Sequence, residues 1–230
     1  MNIRKFSKAV LAGCLALIVI SGMLYGEDGP EKVELNFSIH QERDVYDRSD
    51  YGEPPQFAIW LENPQTGEVE TVIVTHRTGT GEFAGKVECP VSLPVWIGVF
   101  RNETGRDDFP RPWKPFYESV TGATPKVENF NITVELESGQ TWIYYIEMNV
   151  AGDYNLHFPA FSSDNRPDKH GNGQPSLIYK GTILTERGER SVPKVIGRTD
   201  QYYFTTEINS DLKNMKSAKQ VFSDIVVQCE

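Results

Sequence analysis

Three cysteines in 230 residues are too few for a disulfide-stapled framework, and the four histidines, His40, His76, His157 and His170, stand too far apart for a zinc site. No Gly-x-Ser-x-Gly elbow marks a serine nucleophile, no pair of acids is singled out for glycoside cleavage, and no glycine-rich phosphate loop is present. Positive charge is also scarce. Lys and Arg number 23 against 32 Asp and Glu, for a net charge of -9, and such a surface repels nucleic acid and anionic lipid. Asp107, Asp108, Asp153, Asp164 and Asp168 fall in loop-like stretches, but without the alternating oxygen ligands and closing glutamate of a calcium loop. These absences leave no metal and no catalytic constellation to predict.

What is present begins with an uncharged run from Ala9 to Gly26, preceded by Arg4, Lys5 and Lys8. It is longer than the apolar core a secretory signal needs and shorter than the ~20 residues of a spanning helix. The run reads as an export signal over residues 1–26, cut after Gly26, and retention as an N-terminal anchor is the alternative. Leu11-Ala12-Gly13-Cys14 also spells a lipoprotein box, although most of the apolar run lies after the cysteine. Removal of residues 1–26 takes three positive and no negative charges, so -9 becomes -12 for residues 27–230. The expectation is a periplasmic or secreted protein that meets a membrane only through its N-terminal segment.

Beyond that segment, alternation of apolar and polar residues recurs to the end of the chain, as half-buried strands require. Phe130 to Leu136 alternates without a break, and Trp142, Tyr144, Ile146 and Met148 repeat the pattern after Ser138-Gly139-Gln140, which predicts a hairpin over 126–150. An earlier hairpin is predicted from 57–61 and 69–75 around Asn63-Pro64-Gln65-Thr66-Gly67. Further strands are expected at 33–40, 94–100, 176–186, 201–208 and 224–228. One helix is expected over 212–222, where Met215, Ala218 and Phe222 fall at helical spacing behind Ser210 and Asp211. Many short strands with few helices predict a single all-β domain over 27–230, an immunoglobulin-like antiparallel β-sandwich with one short C-terminal helix before the last strand.

Two stretches rich in Pro, Gly, Asp and Asn, 102–117 and 159–175, read as long loops, and loops of that length are usually functional or mobile. Trp60, Trp96 and Trp142 lie in expected strands as core. Trp113 instead stands in a Pro-rich loop with Phe109, Phe116 and Tyr117. Trp113, Phe116 and Tyr117, with Asp164 and Asp168 of the second loop, are the candidate ligand-binding residues. Outside the cytoplasm Cys89 and Cys229 are candidates for one disulfide, with two free buried thiols as the alternative.

Glu118-Ser119-Val120-Thr121-Gly122-Ala123-Thr124 resembles the Asp-x-x-Ser/Thr-Gly-Ala-Thr sequence at which exported flavin-binding domains carry flavin mononucleotide, attached through its phosphate to the last threonine. The resemblance implies FMN on Thr124. Glu118 replaces the usual aspartate and Pro125 follows directly, and a tight turn around Gly122 is the plainer reading. Pro55 to Glu62, Thr71 to Thr75, Ser92-Leu93-Pro94-Val95-Trp96, Val120 to Pro125, Asp153-Tyr154-Asn155 and Gly173-Gln174-Pro175-Ser176-Leu177-Ile178-Tyr179 together resemble an uncharacterised family of predicted periplasmic bacterial proteins with immunoglobulin-like β architecture. That family brings no settled activity; some relatives look to be encoded near flavin-transfer and electron-transfer proteins, which keeps a redox accessory role open.

The leading expectation is therefore a noncatalytic exported sandwich that binds an unknown protein or small ligand at the cell envelope through its two long loops. A redox accessory carrying flavin on Thr124 is the alternative, and a carbohydrate-active enzyme comes third.

Overall fold

Strand β1, Lys32–Gln41, buries Val33, Leu35, Phe37 and Ile39 and exposes most residues between them, so a strict two-residue period becomes one wall of the core. In the computed structural model, which describes residues 30–83, 85, 88–116 and 121–230, the other elements follow in chain order: α1 Arg43–Tyr46, β2 Gln56–Glu62, β3 Val69–Thr75, α2 His76–Thr80, α3 Pro94–Thr104, β4 Thr121–Gly122, β5 Asn129–Glu137, β6 Thr141–Asn149, β7 Leu177–Leu184, β8 Arg190–Ser191, β9 Lys194–Arg198, α4 Ala218–Val221 and β10 Phe222–Cys229. They form a four-stranded sheet of order β5-β1-β10-β8 and a six-stranded sheet of order β4-β3-β2-β6-β7-β9. All strand pairs are antiparallel except β3 with the two-residue β4. The chain is thus an all-β sandwich with one short helix before its last strand.

The core between the sheets is built by the inward positions of each strand. Phe37 faces Ile132 on one side and Val227 on the other in register, while Phe57, Ile59, Leu61, Tyr144, Ile146, Met148 and Leu177 line the opposing sheet. Phe37 meets Tyr144 edge-on with ring centroids 5.7 Å apart, in the geometry that aromatic quadrupoles favour.

A second core lies on the other face of the six-stranded sheet. β2 reads Phe57-Ala58-Ile59-Trp60-Leu61 with all five residues buried, so its outer residues are covered too. The cover is α3, whose Leu93, Trp96, Ile97 and Phe100 neighbourhood packs on Ala58, Trp60, Val74 and Ile178. Residues 94–100, expected to be a strand, are helical for identifiable reasons. Pro94 occupies the first turn, Gly105 closes the helix in the left-handed conformation at φ 67°, and a buried carboxylate receives the first amides.

Three further expectations are corrected. The chain does turn at Ser138-Gly139-Gln140, but β5 and β6 lie in different sheets and do not pair. The Ser138 amide donates to Glu31 O at 2.7 Å and the Gly139 amide to Thr185 O at 2.9 Å, so the turn is a corner between layers. Residues 201–208 form no strand; Arg198 and Asn209 bridge across their base instead. The helix expected over 212–222 shrinks to the single turn 218–221, because the Lys216 amide donates to the Gln174 side chain at 2.7 Å and Phe222 opens β10. Met215, Ala218 and Phe222 are nevertheless all buried.

Candidate functional site

The chain leaving α3 is pinned around Asp108. Arg106 Nε and Nη2 donate to the two Asp108 oxygens at 3.0 and 3.2 Å, and Lys114 Nζ lies 2.9 Å from Oδ2. The Arg106 hydrogen bond, then that from Lys114, holds the Asp108 carboxyl well below the usual carboxylate range. Arg106 also donates to Pro115 O and Lys114 O at 3.0 and 3.2 Å, and its guanidinium sits 4.5 Å from the Phe116 ring centre. Arg101 donates to Asp108 O at 3.0 Å and lies between Phe109 and Phe204, 4.4 and 4.8 Å from their ring centres.

At the tip, Arg111 and Lys114 exchange backbone hydrogen bonds of 3.2 and 2.8 Å across Pro112-Trp113. Pro112 fixes its own φ, and Trp113 is held out with 83% of its surface exposed. The expected aromatic cluster therefore divides. Trp113 is presented to solvent, whereas Phe116 is only 8% exposed and stacks on Phe100 at 4.0 Å in the second core, so its part in recognition is replaced by packing. Tyr117 lies outside the described residues.

The second loop is tied in the same manner. Asp168 Oδ2 accepts from the Gly173 amide at 2.9 Å and from Gln201 Nε2 at 3.3 Å, and Oδ1 accepts from the His170 amide at 3.3 Å, so this acid holds its own loop closed. Asp164 is exposed and bonds to Ser162 and, at 3.2 Å, to Arg166. The Arg166 guanidinium in turn faces the Tyr202 and Tyr203 rings at 5.3 and 5.1 Å. Glu88 joins the two loops, its carboxylate pairing with Arg111 and its carbonyl lying 3.0 Å from His170 Nδ1.

Thr124 occupies a different place. Thr121 and Gly122 pair with Val74 and Thr75, so the expected tight turn is a short parallel strand at the edge of the six-stranded sheet. Thr124 is half-buried, donates to Pro55 O at 2.9 Å, and lines an open cleft of about 420 Å³ with Glu53, Pro54, Gln56, His76, Arg77, Ala123 and Lys126. Arg77 pairs with Glu53 at 3.1 Å and His76 lies 3.3 Å from Glu82.

One buried acid, Glu147, escaped the sequence reading, and Asp153, expected among the loop acids, is buried. Glu147, fully buried on β6, accepts from the Trp96 amide at 2.8 Å, the Val95 amide at 3.3 Å and Ser176 Oγ at 2.6 Å, with Thr199 Oγ1 next in the hydroxyl chain at 2.8 Å. Burial pushes its carboxyl up to about 7 against the pull of these donors. Asp153 accepts from Ser217 Oγ and Gln174 Nε2, each at 2.6 Å, and burial raises it as well. The available signal was a charged residue inside the apolar run of β6 and a polar cluster around Gly173. Both acids bond to structural partners and hold elements together.

Cys89 and Cys229 are free buried thiols, which replaces the disulfide reading. Cys89 faces Asn172 Oδ1 at 3.9 Å in a polar pocket, where desolvation pushes the thiol up to about 12. Cys229 is the inward residue at the end of β10, in the core between the sheets. Among the described residues no group of three or more His, Cys, Asp and Glu is placed to hold a metal, and no helix is long and apolar enough to cross a membrane.

The fold and its sites define a two-sheet β-sandwich with a helical layer on one sheet, two pinned loops joined at Glu88, and one donor-lined cleft. Comparison with protein-family models, with curated proteins and with solved structures finds no match for this chain.

Proposed function

We propose that the chain is an exported, noncatalytic binding protein that engages a protein or small ligand of the cell envelope through the rim formed by its loops. The observation that carries this reading is where exposed apolar surface lies. Every exposed large hydrophobic side chain among the described residues stands outside the named strands and helices, and Trp113, Leu156, Phe161 and Tyr203 stand on the loops and the segments packed against them. A tryptophan held out on a turn anchored by Asp108 loses little conformational freedom on binding, as a preformed recognition element requires.

A photo-crosslinking residue substituted at Trp113 in the exported protein tests it. A discrete adduct is expected at 113, absent with the same probe at the exposed Val192 and lost when Asp108→Ala releases the turn. Adducts equal at 113 and 192, or none at 113, overturn the reading.

A second reading has a specific support: Thr124 stands in the wall of a cleft of about 420 Å³, beside Arg77 and Lys126, which suit the phosphate of an attached flavin mononucleotide. Co-expression with an exported flavin transferase should give flavin absorption that survives denaturation and disappears in Thr124→Ala. An unmodified intact mass removes this reading. In either case the protein belongs to the envelope, as the segment 1–26 and the resemblance to predicted periplasmic proteins support.

A further inference from the structure

The cleft that holds Thr124 has an unusual inventory of donors, and the inference from it does not depend on either reading above. Gln56, at the start of β2, has its amide orientation set from behind. The Phe57 amide donates to Thr75 Oγ1 at 3.2 Å, which leaves the Thr75 hydroxyl hydrogen to go to Gln56 Oε1 at 2.9 Å. Thr78 Oγ1 donates to the same oxygen at 3.3 Å. With its oxygen committed twice, Gln56 presents an NH2 group that has no partner among the described residues and lines the cleft.

Arg77, in α2, spends one nitrogen on Glu53 at 3.1 Å, and its remaining guanidinium N–H groups bond to nothing else among the described residues. Lys126, in the connection to β5, has no hydrogen bond or ion pair among the described residues and lines the same space. Three donors from three elements therefore converge on one cleft. The one carboxylate in its wall, Glu53, is already turned to Arg77, and the Thr124 hydroxyl hydrogen is turned to the Pro55 carbonyl. Arg77 and Lys126 against Glu53 give the lining a net positive charge on a molecule that is strongly acidic as a whole.

We propose that this cleft binds a phosphoryl group of a small molecule through Arg77, Lys126 and the Gln56 amide. A tetrahedral group offers oxygens in several directions to donors arriving from separate elements, whereas a planar carboxylate is matched by a single guanidinium fork.

The test is titration of the full exported chain with inorganic pyrophosphate, and separately with malonate, at constant ionic strength. Saturable pyrophosphate binding is expected, about tenfold or more tighter than malonate. Lys126→Ala, on an exposed side chain without partners, should weaken it by about tenfold, and Gln56→Glu, which turns the donor into an acceptor, should abolish it. The charge-matched Lys194→Ala, at the exposed first residue of β9, should leave it unchanged, which separates a site from general attraction. Malonate binding equal to pyrophosphate, equal losses in Lys126→Ala and Lys194→Ala, or no saturable binding overturns the proposal. Intact mass of the same preparation reports any group on Thr124 separately, so failure of the flavin reading and failure of this one are distinct results.

Discussion

Glu147→Ala is expected to lower the unfolding free energy by about 3 kcal/mol, measured by urea denaturation, because it strands the Val95 and Trp96 amides in a site with no water-facing side, while the Ser176 hydroxyl can turn to Thr199 Oγ1. Among the described residues the carboxylate alone reaches the Trp96 and Val95 amides and Ser176 Oγ at once, so its loss uncaps α3 from the sheet beneath it. Glu147→Gln should cost far less. Its oxygen can keep the Trp96 amide while its nitrogen donates to Ser176 Oγ, whose hydroxyl turns to Thr199 Oγ1.

The same pair of variants separates the pH dependence. Burial raises the Glu147 carboxyl from its ordinary 4.5 to about 7, so over that interval the folded chain keeps a proton that the unfolded chain has released. The stabilisation this represents is complete below about pH 4.5 and is lost as pH rises through about 7, by up to roughly 3 kcal/mol. In Glu147→Gln the fall in stability between these two pH values should flatten. Asp153, Glu70 and Glu103, all raised by burial, remain in the variant and contribute a residual slope in the same direction. An unchanged pH profile in Glu147→Gln would show that the carboxylate is not the group that titrates.

Trp96→Ala is the other large effect, with an expected loss of about 3–5 kcal/mol for a fully buried aromatic whose removal leaves a cavity. Trp96 joins the two sides of the second core: it contacts Phe100 and Phe116 at centroid distances of 5.9 and 6.2 Å, and its Nε1 donates to Thr71 Oγ1 on β3 at 3.2 Å. Hydrogen exchange resolves where the loss falls. Amides of α3 should lose protection while β1 and β10, which contribute only to the core between the sheets, keep theirs. Equal loss in both would mean that the helical layer and the two-sheet core unfold as one unit. Because Phe116 sits in this same cluster, the variant should also loosen the turn that carries Trp113, which links the packing of α3 to the proposed recognition rim.

Residues from separated stretches of the chain meet inside the molecule. Ser176 and the Val95-Trp96 pair converge on Glu147, and Asp153 meets Gln174. These residues fasten elements to one another, whereas Trp113 makes no such link among the described residues and is held out to solvent.

Alternation of apolar residues along β1, β5, β6 and β10 was enough to establish an all-β chain and the inward face of those strands, since a period of two buries one face whatever the strand's neighbours are, whereas β2, buried on both faces, carries no such signal. The loop composition likewise marked two long connections, which carry Trp113 and Phe161 among the exposed large hydrophobics, and Pro112 beside Trp113 is a local instruction for a turn. Partner choice was not local. The tight Ser138-Gly139-Gln140 turn looks the same whether it joins paired strands or turns a corner between sheets, and only the tertiary bonds to Glu31 and Thr185 decide. Pro94 to Phe100 reads equally as strand or helix until Glu147, about fifty residues away in sequence, supplies the cap. Cys89 and Cys229 face different surroundings, one a polar pocket and the other the core between sheets, because burial is set by how the layers stack. The cleft of Gln56, Arg77, Thr124 and Lys126 draws on three separated elements, so its donors share no spacing that a single stretch of chain could reveal.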